Sequence, residues 1–337
     1  MALSQTPPPQ PPPKKPAPFP LSLFQNVTAD SFVDEAACLG CHAGPHASFE
    51  LSGHKPYMFD SKAPVDKRGC QGCHGPGGPH IMNLEKPEDI RKFIISYTKS
   101  RPVEASMACL RCHNDTMTMA HWRRTGHARA DVRCNDCHGI HRAPMEMEKR
   151  VAEYAANKKK RKVPFFAAVA EPRKLLKTDE ATLCGECHAK ESGEFRNNFH
   201  HPVPEGRMVC SDCHEIHPRR ASEKQQAAQT GVRSADQRMV GHLKQGSESC
   251  KSCHADVAGP FIFEHDPVAG HTGEGCMECH RPHGSNNPKM LTTYSRGLCN
   301  QCHTDKSTTH FPGRTCWQAG CHAAPHGSNR DRFLFRR

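Results

Sequence analysis

Every cysteine in this chain belongs to one small pattern: two cysteines with a short spacer, followed at once by a histidine. The 20 cysteines fall into ten such units with none left over. They are Cys38–Cys41–His42, Cys70–Cys73–His74, Cys109–Cys112–His113, Cys134–Cys137–His138, Cys184–Cys187–His188, Cys210–Cys213–His214, Cys250–Cys253–His254, Cys276–Cys279–His280, Cys299–Cys302–His303 and Cys316–Cys321–His322. Nine have two residues between the cysteines, and the last has four. Cys-x-x-Cys-His is the attachment pattern of a c-type haem: each thiol bonds one vinyl group, and the histidine then sits under the iron. A zinc reading needs pairs of units to close tetrahedral sites and gives no reason for a histidine after every second cysteine. A disulfide framework explains less, because neighbouring Cys-x-x-Cys pairs would staple almost nothing together. The pattern predicts ten covalently attached c-type haems (heme c, Fe), with these cysteines as anchors and these histidines as proximal iron ligands.

Ten haems in 337 residues is one per roughly 34 residues. The chain is only 36% hydrophobic and 6% aromatic, thin for the cores of ordinary domains. Porphyrin faces would supply much of the missing apolar interior. With 25 Gly and 28 Pro, long strands are not expected. The expected fold is a multihaem cytochrome c: mostly irregular chain, short α-helices packed around ten haems, and little or no β. It should be elongated, since evenly spaced units pack mainly on sequence neighbours.

The formal charge of +11 would ordinarily suggest an anionic partner. Each oxidised haem with two neutral imidazoles carries about −1, and each reduced one about −2. The excess Lys and Arg is then mostly internal counter-charge, and nucleic acid is not an expected partner. Haem is attached to such motifs outside the cytoplasm, so the protein is expected to be exported. Residues 1–20 show no apolar signal core, so a signal peptide has been removed or the true start lies upstream. No run of about 18 apolar residues offers a membrane-spanning helix.

The units group into five couplets. One histidine lies between the two units of each: His54, His127, His200, His265 and His310. An aromatic precedes several of these by four or five positions: Phe49, Trp122, Phe195 and Phe261. A second histidine follows each couplet's second unit: His80, His141, His217, His283 and His326. These ten match ten irons one for one as distal ligands. A histidine three residues past a proximal ligand cannot easily reach the opposite face of the same porphyrin, so it is expected to cap a neighbouring iron. His46, His121, His201, His242 and His271 remain; His46 could replace His54, His121 could replace His127, and His201 sits beside His200. The 12 methionines are further ligand candidates, less needed with so many histidines.

Residues 1–30 read as a Pro-rich flexible tail, with an extended polyproline stretch over residues 7–20. Residues 31–205 are expected to form an N-terminal pentahaem half and residues 206–337 a C-terminal one. Two stretches lack cysteine. Residues 142–183 carry the basic run Lys158 to Lys162, read as a solvated face or a dock for acidic or propionate-bearing partners. Residues 221–241 are polar and read as a connector.

Beyond the haem units, three stretches resemble the DmsE/MtrA-type family of periplasmic decahaem cytochromes. They are CQGCHGPGGPH from Cys70 to His80, the turn His200-His201-Pro202-Val203-Pro204-Glu205-Gly206, and Phe261 to Asn287 with FIFEHDPV and CMECHRPHGSNN. Pro325-His326-Gly327-Ser328-Asn329 echoes the last of these. The resemblance covers nearly the whole chain from about residue 35. It implies two pentahaem halves in one elongated wire, sheathed by a porin-like outer-membrane β-barrel, with bis-histidine ligation. It further implies periplasmic or inner-membrane redox proteins and an extracellular cytochrome or terminal acceptor as partners. The Cys316–Cys321 spacing departs from the usual pattern.

The function expected is electron transfer along ten haems between the periplasm and the cell exterior, as in anaerobic respiration, with no catalytic residues of its own. Two imidazoles per iron leave no open position for a substrate. A soluble periplasmic shuttle or reservoir is one alternative. A multihaem reductase of the nitrite or hydroxylamine type is another, but it needs a free iron face, often marked by Cys-x-x-Cys-Lys, which does not occur here.

Overall fold

The computed structural model describes residues 17–25, 27–49, 52, 54–58, 60–85, 92–114, 117–141, 176–217, 248–269, 273–306, 315–317 and 320–336. His242, His271, His310, the basic run Lys158 to Lys162 and the 221–241 connector lie outside them. The chain divides into two compact units, residues 1–152 and 153–337. This differs from the expected division at 205/206. The Cys184 and Cys210 turns belong with the later ones because the segments around Phe199 and His201 pair with residues 282–285. Four haem units therefore fall in the first compact unit and six in the second.

Helices are short because each haem unit is itself a single helical turn. In regular units the histidine N–H returns to the first cysteine's carbonyl, at 2.9 Å for His138, His214, His254 and His303 and 2.8 Å for His188. The irregular unit keeps this closure, with His322 N–H reaching Cys316 O at 3.1 Å. With four residues between the cysteines, the histidine still stays in register. Carboxylates stabilise several of these turns at the positive N-terminal end. Asp136 accepts the N–H of Arg133 at 2.7 Å, and Asp212 that of Val209 at 2.9 Å.

In the first unit, the helices Glu35–Phe49, Gly69–His74 and Pro102–His113 carry the first three haem motifs. The buried apolar set includes Phe49, Ile95, Ala105, Met107, Leu110 and Trp122. Arg111, inside the third motif, bonds Gly72 O, Asp66 O and Asp66 Oδ2, each at 2.9 Å. Its guanidinium also lies 3.2 Å from the centre of the Phe24 ring. The expected flexible tail is thus corrected over its described part: Pro20 is fully buried, Leu23 packs on Gly75, and Phe24 sits under Arg111.

Among its described residues, the second unit buries little more than Val203, Leu291 and Ala324 as apolar side chains. Its order comes from a repeated backbone device. Phe263–Glu264 pairs antiparallel with Gly327–Ser328, in the register Phe263↔Ser328 and Glu264↔Gly327. Phe199 and Ser285 form the same kind of pairing, exchanging N–H···O bonds of 3.1 and 2.8 Å. Pairings this brief leave the fold mostly irregular with short helices, as expected from the sequence. No helix among the described residues is long and apolar enough to cross a membrane.

Candidate haem-binding site

The couplets read from the sequence are physical objects. Within each, the first thiols of the two units hydrogen-bond one another: Cys38 with Cys70, Cys109 with Cys134, Cys184 with Cys210, Cys250 with Cys276 and Cys299 with Cys316. The irregular unit takes part like the others. None of the cysteines is paired in a disulfide. Burial, then Cys316, pushes Cys299 up to about 12. An acidic residue at the head of the first unit's helix can cap the second unit's turn. Glu35 Oε1 accepts the Cys70 N–H at 2.9 Å, and Glu180 accepts both the N–H and the hydroxyl of Ser211 at 2.8 Å. Among the described residues, Glu35, Cys38 and Cys70 bring donor atoms within 4.8 Å of one another. That set is one ligand short of a tetrahedral metal site, and its carboxylate is already acting as a cap.

The imidazoles form opposed pairs at varied ring angles, each joining a motif histidine to a histidine from another couplet. Ring centroids are 6.0 Å apart for His113 and His54, 6.2 Å for His74 and His141, and 6.0 Å for His214 and His283. They are 6.2 Å for His254 and His201, 6.2 Å for His280 and His326, and 6.3 Å for His303 and His265. Two imidazoles bonded at about 2 Å to opposite sides of one metal ion stand about 6 Å apart between ring centres. The spacing therefore leaves room for one iron and no more.

Ring orientation fits the same use. Nδ1 meets a backbone carbonyl in His74 (Ile95 O, 2.8 Å), His141 (Pro45 O, 2.9 Å), His201 (Pro282 O, 2.6 Å), His265 (Pro325 O, 2.7 Å), His280 (Lys289 O, 2.8 Å) and His322 (Phe333 O, 2.8 Å). A carbonyl only accepts, so Nδ1 carries the proton and Nε2 keeps its lone pair for a metal. Burial holds His54, His74, His80 and His280 below the usual imidazole range, with His113 adding to the effect at His54 and His42 at His80. These rings are neutral near pH 7, the form that ligates. The donor set thus fits haem c: paired thiols for the vinyl groups and oriented, neutral imidazoles on two sides of a gap.

The pairs follow a rule. A histidine after a second unit faces the motif histidine of the preceding couplet's second unit: His141 with His74, His283 with His214, His326 with His280. A mid-couplet histidine faces the first motif of the next couplet: His54 with His113, His201 with His254, His265 with His303. At the first site His80 lies within electrostatic range of His42. His127 sits half-buried in the turn Gly126–Arg129, and His217 is exposed just after the Cys210 turn. Among the described residues, no ring pair of this kind includes His46, His121 or His200.

At the third couplet the structure reverses the expected choice of imidazole. His200 is engaged at both nitrogens, with Asn197 O at 2.6 Å and Glu205 Oε1 at 3.1 Å. His201 instead faces His254. The backbone register explains the difference: Phe199 bridges Ser285 as Phe263 bridges Ser328, and His201 stands two residues past Phe199 as His265 stands two past Phe263. The useful sequence signal was Phe-x-His, with Glu264 aligned to His200, rather than the distance from Phe195. The Pro-His-Gly-Ser repeat also acquires a meaning. Pro282 and Pro325 orient an imidazole of the preceding couplet, the following histidine faces another, and Gly-Ser makes the bridge. Beside His326, Phe261, Gly259, Lys251 and Val268 line a cavity of about 320 Å³.

Comparison with known proteins agrees with this geometry. Residues 265–308 match the doubled CXXCH motif family, and residues 80–139 match the family of cytochrome c554 and c-prime. The chain is 28% identical over 317 residues to the multiheme cytochrome MtrA of Shewanella baltica (strain OS185), covering 87% of this chain and 78% of the relative. With the thiol pairs and facing imidazoles, these matches make the chain a multihaem c-type cytochrome, a protein of electron transfer. Within that class it resembles the MtrA type.

Proposed function

We propose that this chain carries electrons along ten c-type haems between periplasmic donors and the cell exterior, held by an outer-membrane β-barrel. The observation that carries the reading is the set of imidazole pairs at 6.0–6.3 Å, each spanning two couplets. Haem c supplies, when bound, a one-electron Fe(III)/Fe(II) couple at each site. The twenty cysteines anchor it, and the ten motif histidines serve as proximal ligands. His54, His80, His141, His201, His265, His283 and His326 serve as distal ligands, with His127, His217 and His310 assigned the same role from their sequence positions.

Two imidazoles per iron favour the low-potential range and exclude a substrate from the metal. The chain then stabilises two oxidation states at fixed sites without making or breaking substrate bonds. Because six of these distal histidines come from another couplet, ligation also cross-links the repeat and offsets the thin apolar core. The barrel, the periplasmic or inner-membrane donors and the extracellular acceptor follow from the family resemblance. Haem stoichiometry by pyridine haemochrome, combined with co-purification from outer membranes, tests the reading. Ten haems per chain and a stably associated barrel protein are expected. A lower count, or purification from the periplasm without a barrel, would contradict it.

A further inference from the structure

Two carboxylates on the short helix Ala189–Glu194 point at imidazoles of the paired set. Glu194 Oε2 lies 3.2 Å from Nδ1 of His283, the ring that faces His214. Glu191 Oε2 lies 3.8 Å from Nδ1 of the motif histidine His188, longer than a hydrogen bond but within ion-pair range. The other oriented members of the facing pairs rest on neutral groups: His74, His141, His201, His265 and His280 all give the Nδ1 proton to a backbone carbonyl.

The Glu194 contact is built rather than incidental. A Cβ on Gly284, the residue after His283, would stand 2.2 Å from Glu194 O, so glycine is what lets the two segments approach. Asn197 Nδ2 donates to that same oxygen at 2.9 Å and ties down the helix end. The Phe195 ring packs 5.3 Å from the His283 ring. The Glu194 side chain is 25% exposed and that of His283 27%, so solvent screens their contact only in part. Lys190 Nζ is 4.0 Å from the other carboxylate oxygen, but it is 81% exposed and therefore heavily screened.

We propose that Glu194 is a positioning residue that places a full negative charge behind His283, making the site between His214 and His283 a low-potential step within the second unit. This rests on the bis-imidazole reading above. A carboxylate that accepts the Nδ1 proton makes the imidazole a stronger donor than a carbonyl does. Stronger donation and nearby negative charge both favour the oxidised metal, and second-shell hydrogen bonds are an established control of such potentials. Glu191 adds a weaker effect of the same sign at His188.

The test is a potentiometric titration of the haem-loaded protein, with spin state followed by electron paramagnetic resonance. Glu194→Gln keeps the shape and an acceptor oxygen but removes the charge. One component should move to higher potential while every haem stays low-spin, and Glu191→Gln should move another by less. An unchanged set of midpoints in Glu194→Gln, with a low-spin wild type, would overturn this inference alone. Conversion of one haem to high spin would do the same, showing that Glu194 only holds His283 in place. A wild type that is not low-spin throughout would instead count against the bis-imidazole reading.

Discussion

The ring of His141 stands 6.2 Å from that of His74, although two complete haem motifs lie between them in the sequence. His141 follows its own motif histidine, His138, by three residues, too near to reach the far side of the same site. Its Nδ1 is held by Pro45 O at 2.9 Å, and Phe49 packs against it at 5.5 Å, so the first couplet aims a histidine supplied by the second. His141→Met should therefore raise the reduction potential of the haem at Cys70–Cys73, because thioether ligation favours the reduced iron. Site-resolved redox titration checks this, and a shift at the Cys134–Cys137 haem instead would contradict the pairing rule.

His200 and His201 provide a matched pair of substitutions. His201→Ala should open the haem at Cys250–Cys253 to carbon monoxide, while His200→Ala should leave every haem low-spin. The absorption spectra of the two reduced variants under carbon monoxide decide between them.

The couplets, the short helices and the near absence of β-structure were all legible in the sequence, because spacing between cysteines and histidines is a local property. The choice of His201 over His200 was not. It depends on a bridge between Phe199 and Ser285, a register that a distant segment imposes. Nor could the partner of each histidine be read from spacing, since couplets borrow imidazoles from their neighbours. Proline content similarly concealed the burial of Pro20, the packing of Leu23 on Gly75 and that of Phe24 under Arg111.

Glycines 284 and 193 should respond oppositely to alanine. At Gly284 (φ +157°) a Cβ would stand 2.2 Å from Glu194 O, and such overpacking costs about 1–3 kcal/mol. At Gly193 nothing lies within 4 Å, and the helical position should gain about 0.5–1 kcal/mol from alanine. Chemical denaturation of the haem-loaded variants, compared with wild type, measures both signs.

Asp179 caps the helix Glu180–Gly185 by accepting the Thr182 N–H at 2.9 Å. Burial alone would raise its carboxyl, but the bonds to Thr182 and Thr178 outweigh it and hold the group below its usual 3.8. A depressed folded value means the stabilisation is present above the unfolded value and disappears as pH falls through the folded one. Asp179→Ala should cost about 1 kcal/mol at pH 7, with the difference shrinking below a pH of about 4. Denaturation midpoints for both proteins across that range check the sign.

The bis-imidazole account leaves no iron with an open site, and carbon monoxide reports an open site directly. The absorption spectrum of the fully reduced protein should be the same before and after carbon monoxide is added. A shifted Soret band corresponding to even one haem per chain would contradict the bis-imidazole account.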